Sequence, residues 1–224
     1  MYVHGQVDSN PPSLGVMWLR SDDFADGEAI PTNRAFGEHD PDTHIRLAEN
    51  SNPHLEWGDV PDGARSLVLT LVDLDAPLDK SDANKEEVAL DETTPRGDFT
   101  HWVLIDIDPD QTGVDPAEFC IGVTARGKRG LDGRPREGVN DYTSWFEGDP
   151  DMEGVYKGYD GPCPPFNDAV VHRYRFDLYA LDITEVPVSG DFSVADVRSA
   201  IDGHILDRVS LTATYTLNPA LGLS

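Results

Sequence analysis

Between His172 and Leu181 residue character alternates at every step. His172, Tyr174, Phe176, Leu178 and Ala180 fall on one face, and Arg173, Arg175, Asp177 and Tyr179 on the other. A period of two rules out a helical stripe and predicts a strand whose mostly apolar face meets a core, carrying His172 and Tyr174 inward with it. Val209, Leu211, Ala213, Tyr215 and Leu217 alternate with Ser210, Thr212, Thr214 and Thr216, a second half-buried strand rich in β-formers. Leu67 to Val72 is a run of apolar residues broken only by Thr70, the pattern of a strand covered on both faces. A further strand is predicted over Trp102 to Ile107. One helix is expected to open at a Ser193 cap, bury Val194, Val197, Ala200 and Ile201, and end at Gly203. The stretch from Asp108 to Asp160 is rich in Gly, Pro and Asp and reads as surface loops.

Three of these strands carry ionisable groups at one end. The Leu67 run stops at Asp73-Leu74-Asp75-Ala76-Pro77, the Trp102 strand follows His101, and His172 opens its strand after the stiff loop Gly161-Pro162-Cys163-Pro164-Pro165. A few polar groups at the mouth of an apolar strand face are how a small-ligand cleft is commonly built. The same residues would also serve as core histidines satisfied by their neighbours.

The ordered set Asp73-x-Asp75-Ala76-Pro77, His101-Trp102, Gly161-Pro162-x-Pro164-Pro165 and His172-Arg173-Tyr174 resembles the phosphatidylethanolamine-binding protein family, in its prokaryotic Raf-kinase-inhibitor-like branch. Asn50 to Trp57 and Phe176 to Asp182 resemble the same family, so the likeness runs from about Leu19 to Tyr215. Leu74 stands where the family usually has proline. The resemblance implies a mostly β chain, an antiparallel Greek-key sandwich with a few short peripheral helices. It also implies a cis Ala76–Pro77 bond and an anion pocket lined by Asp73, Pro77, His101, Gly161, Pro162, His172 and Tyr174. Asp75 is a candidate for the same pocket, or for bracing the loops through Arg173. The function expected is binding of a small phosphate or carboxylate group, coupled to regulation of a kinase or another enzyme as in the eukaryotic branch. The alternative is an enzyme in which Asp73 and His172 do acid/base work on a phosphate ester or acyl compound. No Gly-x-Ser-x-Gly nucleophile motif is present. His101, His172 and Asp73 are residue types that can form a metal triad, but no local ligand spacing supports one, and no cofactor is expected.

No long linker interrupts the chain, and the site segments lie about 100 residues apart in sequence. One domain over residues 1–224, with its core at about 19–217, is therefore expected. Acidic residues number 42 against 17 basic ones, only four of them lysine, for a net charge of −25. Such a surface repels nucleic acid and anionic membranes. It strains a compact fold unless salt screens it, and at molar salt the Debye length is about 3 Å. A salt-loaded cytoplasm is the expected setting. Met1 to Gly5 lacks the pattern of a signal peptide, and no apolar run approaches the roughly 20 residues that span a bilayer. Cys120 and Cys163 are expected to be free thiols, Cys163 for packing more than reactivity. A homodimer is compatible with all of this.

Overall fold

The computed structural model describes residues 15–222, so the opening Met1 to Gly5 lies outside the described residues. Its strands, in chain order, are β1 (Trp18–Arg20), β2 (Gly37–Asp40), β3 (His44–Leu47), β4 (Leu55–Gly58), β5 (Ser66–Pro77), β6 (Arg96–Ile107), β7 (Gly113–Val114), β8 (Arg136–Glu137), β9 (His172–Leu181) and β10 (Ile205–Tyr215). The helices are α1 (Tyr142–Trp145) and α2 (Val194–Ala200), with three short 3-10 turns.

The main sheet has the order β10-β9-β5-β6-β8, and every neighbouring pair in it is antiparallel. Within it β9-β5-β6-β8 is the fourth-first-second-third order of a Greek key. A smaller antiparallel sheet, β1-β4-β7, and the hairpin β2-β3 complete the architecture.

Both faces of the main sheet are covered, which is why Leu67 to Val72 shows no polar alternation and even Thr70 is buried. Leu67, Leu69, Leu71, Trp102, Phe176 and Leu178 pack with Leu19, Leu55 and Trp57 of the smaller sheet. Val68, Val103, Ile105 and Leu181 pack on the other face with Phe192, Val197 and Ile201. The α2 helix covers that second face, and its N-terminus is closed by a capping box in which the Ser193 side chain accepts from the Asp196 amide. Gly203, with φ of +81°, follows the helix end.

Two strands run further than their apolar segments. β5 continues through Asp73 to Pro77, and β6 begins at Arg96, so His101 lies inside a strand. The Ala76–Pro77 bond is trans, contrary to the expected cis form, and the cis X-Pro bond among the described residues is Arg134–Pro135. The reason is pairing: Ala76 stands opposite Gly97 and Pro77 opposite Arg96, so the chain stays extended through the proline. Among the described residues no helix is long and apolar enough to cross a membrane.

Candidate functional site

Strands β9, β5 and β6 lie side by side, and at one end Asp73 pairs with Tyr174 on one flank and Phe99 on the other. Simple alternation along β6 would send His101 to the face opposite Trp102. The register between β5 and β6 slips at this point, with Leu71 opposite Trp102 and Val72 opposite Thr100, so His101 is the extra residue of a bulge. Bulges re-aim side chains in this way beside functional sites. The result is a cleft with Asp73, His101, His172 and Tyr174 lining it, walled by Phe99, Tyr142, Trp145 and the loop Cys163 to Pro165. Its volume is about 30 Å³.

His172 is clamped between two carboxylates, Nδ1 to Asp73 Oδ2 at 2.7 Å and Nε2 to Asp168 Oδ2 at 3.0 Å. Burial alone would push its pKa down, but the bonds to Asp168 and Asp73 outweigh burial and lift it to about 9. His172 is therefore an imidazolium at neutral pH with both N–H groups engaged. Arg96 holds Asp168 from the other side with two hydrogen bonds of 2.8 Å. Burial works against the charge of Asp168, yet His172 and Arg96 keep its pKa below the usual carboxylate range. His101 is the opposite case. Its Nδ1 donates to the Asp160 carbonyl at 2.8 Å, and burial pushes its pKa down against the pull of Asp73. The neutral ring keeps an acceptor lone pair at Nε2. The Tyr174 hydroxyl is fully buried and makes no hydrogen bond. Burial, then the nearby Asp73 charge, raise its pKa well above the ordinary phenol value.

Residues 20–216 match the family described as phosphatidylethanolamine-binding protein. The chain belongs to the phosphatidylethanolamine-binding protein family. It is similar to the UPF0098 protein YbhB of Escherichia coli strain K12, 30% identical over 200 residues that cover 89% of this chain and 100% of that one. A UPF0098 protein of Methanothermobacter thermautotrophicus is 34% identical over 175 residues, 78% of this chain and 89% of its own. Among solved structures, the phosphatidylethanolamine-binding protein homolog CT736 of Chlamydia trachomatis superposes with a TM-score of 0.60 at 26% identity, covering 89% of this chain and 97% of the other. Escherichia coli YbcL, at 21% identity and a TM-score of 0.58 over 90% of this chain and 99% of its own, shares the fold. These bacterial and archaeal relatives fit the prokaryotic branch.

In this phosphatidylethanolamine-binding protein family member, Asp73, Pro77, His101, His172 and Tyr174 meet in the cleft. Asp75 does not line it. Its carboxylate accepts from the Arg173 amide at 2.8 Å and takes a two-bond grip from the Arg173 guanidinium, the bracing role. Gly161 and Pro162 stand behind the cleft. The Gly161 amide donates to Asn50 Oδ1 at 2.8 Å, its carbonyl accepts from the Tyr142 hydroxyl, and a Cβ there would lie 2.1 Å from the Arg34 carbonyl oxygen. The Pro162 carbonyl accepts from the amides of Phe36 and Gly37. Cys120 and Cys163 are free, and burial pushes the Cys163 thiol up to about 12, disfavouring the thiolate where it forms part of the cleft wall.

Several residues of the site escape the sequence reading. Asp168 and Arg96 carry its ionic support, and the only sequence signal for Asp168 is its place four residues before His172. Tyr142 and Trp145 come from the stretch read as surface loops; the aromatic cluster Tyr142, Trp145 and Phe146 in a Gly, Pro and Asp background is the signal that could have found them. Among the described residues no cluster of His, Cys, Asp and Glu is arranged to hold a metal ion. With both nitrogens donating to carboxylates, His172 has no lone pair left for one.

Proposed function

We propose that the cleft binds a small phosphate monoester in its singly protonated form. The observation that carries this reading is the buried, unpartnered Tyr174 hydroxyl on a cleft floor that also contains acceptors. A phenolic donor calls for an anionic oxygen, whereas the Asp73 carboxylate and the neutral His101 Nε2 call for a donor. A P–O⁻ and a P–OH on one group supply both. The Asp73 and Asp168 charges are balanced by His172 and Arg96, so a dianion would meet a carboxylate without a surplus of positive charge. At about 30 Å³ the cleft holds roughly two waters, so the wall of Trp145, Pro164 and Pro165 must give as the phosphoryl group enters. Regulation of a kinase or another enzyme would then be exerted at this mouth, where Phe99 and Trp145 frame a bound ligand.

Calorimetric titration with phenyl phosphate tests the reading. Affinity should fall as pH rises from about 5 to about 8, following the second phosphate ionisation near 6. His172 stays mostly charged across that window and contributes little of the change. Tyr174→Phe should weaken binding about tenfold, the worth of one hydrogen bond to a charged group. A pH-independent affinity, or one untouched by Tyr174→Phe, would overturn it. Consumption of the ester in a His172-dependent way would replace it with the enzyme alternative.

The acidic, lysine-poor composition supports a protein adapted to a salt-loaded cytoplasm. Its melting temperature should climb with potassium chloride into the molar range as screening removes self-repulsion. A flat profile would end that reading.

A further inference from the structure

The basic residues of this acidic chain are unevenly placed. Between Arg126 and Arg136 lie five of the 17, Arg126, Lys128, Arg129, Arg134 and Arg136, against the single acid Asp132. The same segment lines a second groove of about 450 Å³, walled by Leu131, Val155 and Phe192. That volume lies in the range of small-molecule sites, on the order of 300–1,000 Å³.

Its cations divide by what they hold. Lys128 points inward to the Tyr159 carbonyl, to Cys120 Sγ and to Asp160, and Arg136 is bound to Asp106 and to the carbonyls of Val186 and Val188. Those two are structural. Arg129 is exposed and forms no ion pair among the described residues, and Lys157 is held only by the exposed Asp191 at 2.6 Å. The loop is glycine-rich as well. Gly133 has φ of +105° with open space around it, and the amides of Gly130 and Gly133 donate to no protein acceptor among the described residues. A free guanidinium, an ammonium with an exchangeable partner and unshared backbone amides around one concavity are the donor set for an oxyanion. Asp132, Glu137 and Asp191 also line the groove, but Lys128, Arg129, Arg136 and Lys157 outnumber them, a local balance opposite to that of the acidic chain as a whole.

We propose that the groove beside Arg129 and Lys157 is a second ligand site, separate from the His172 cleft, for a small polyphosphate of the pyrophosphate type. Arg129 grips one phosphoryl group through its planar fork, Lys157 exchanges Asp191 for the other, and the Gly130 and Gly133 amides complete the cradle. The test is calorimetric titration of the full chain with pyrophosphate, at the lowest potassium chloride concentration that keeps it folded. Arg129→Glu should reduce affinity about tenfold or more, since it reverses the free charge, and Lys157→Gln should reduce it by a smaller factor. Because Arg129 has no partner to lose, its variant should melt like the native chain. Tyr174→Phe should leave pyrophosphate binding unchanged. Amide resonances of Gly130 and Gly133 should shift on titration. Absence of binding, binding indifferent to Arg129→Glu, or binding lost with Tyr174→Phe would each overturn the proposal, the last by moving the anion to the first cleft.

Discussion

Strand β9 carries two buried ionic clusters, and they differ in what they leave unsatisfied. At its centre Asp177, fully buried, accepts from Arg175 on its own strand and from Arg208 and Ser210 on β10. Every partner is a strand neighbour, and both arginines reach solvent. At the opening of the strand His172 is equally buried and its N–H groups are equally satisfied, but its partners come from β5 and from the loop before β9. Two residues on, the Tyr174 hydroxyl is orphaned beside a void. Buried charge with complete hydrogen bonding therefore does not mark a site. What sets the two clusters apart is the orphan donor at the edge of a cavity.

The largest expected difference lies in removing an acid from each cluster. Asp168→Ala leaves a buried imidazolium and Arg96 without their shared partner and should cost about 3–5 kcal/mol. Asp177→Ala lets two arginines swing to water and should cost about 1–2 kcal/mol. Denaturant unfolding in matched potassium chloride measures both, and equal losses would erase the distinction.

A pH series sharpens it. The His172 pKa is raised from 6.5 to about 9 on folding, so its stabilisation is complete below about 6.5 and disappears as pH rises through 9. The native chain should lose about 3 kcal/mol over that window, and His172→Gln should not. The Asp177 cluster contains no histidine and should stay level there. Asp168, whose pKa is depressed, acts in the other direction, and its contribution is lost as pH falls below the ordinary carboxylate range. A native profile flat from about 6.5 to 9 would show that the clamp does not hold His172 charged.

The smallest effect is a change of sign. Deleting the Ser210 hydroxyl by Ser210→Ala removes a satisfied bond to Asp177 and should cost about 1 kcal/mol. Deleting the Tyr174 hydroxyl by Tyr174→Phe removes an unsatisfied group and should leave stability unchanged or slightly raised, while weakening phenyl phosphate binding. Destabilisation by both would mean that Tyr174 has a partner in solution.

Much of the main sheet was legible because it obeys local periodicity. The alternation from His172 to Leu181 matches β9 and the Ser193 cap opens α2, while of the two places open to Asp75, pocket or brace, the structure shows the brace with Arg173. What resisted reading is set by distant pairing. No pattern near His101 announces the bulge that turns it into the cleft, because the bulge exists only against β5. Gly161 is expected to line the anion pocket, and what packs against its α-carbon is the Arg34 carbonyl. The Ala76–Pro77 bond stayed trans because β6 pairs with both residues.

The contact between His172 and Asp73 joins residues 99 apart in the chain, and Arg96 reaches Asp168 across 72. Such contacts close long loops and carry the corresponding entropic cost. They also test alignment: a one-residue slip of β5 against β9 would turn Asp73 to the opposite face and leave His172 facing apolar side chains. The clamp thus acts as a proofreading step. A chain that has paired its strands wrongly has no cleft to offer, and a ligand of that cleft selects correctly assembled molecules and holds them assembled.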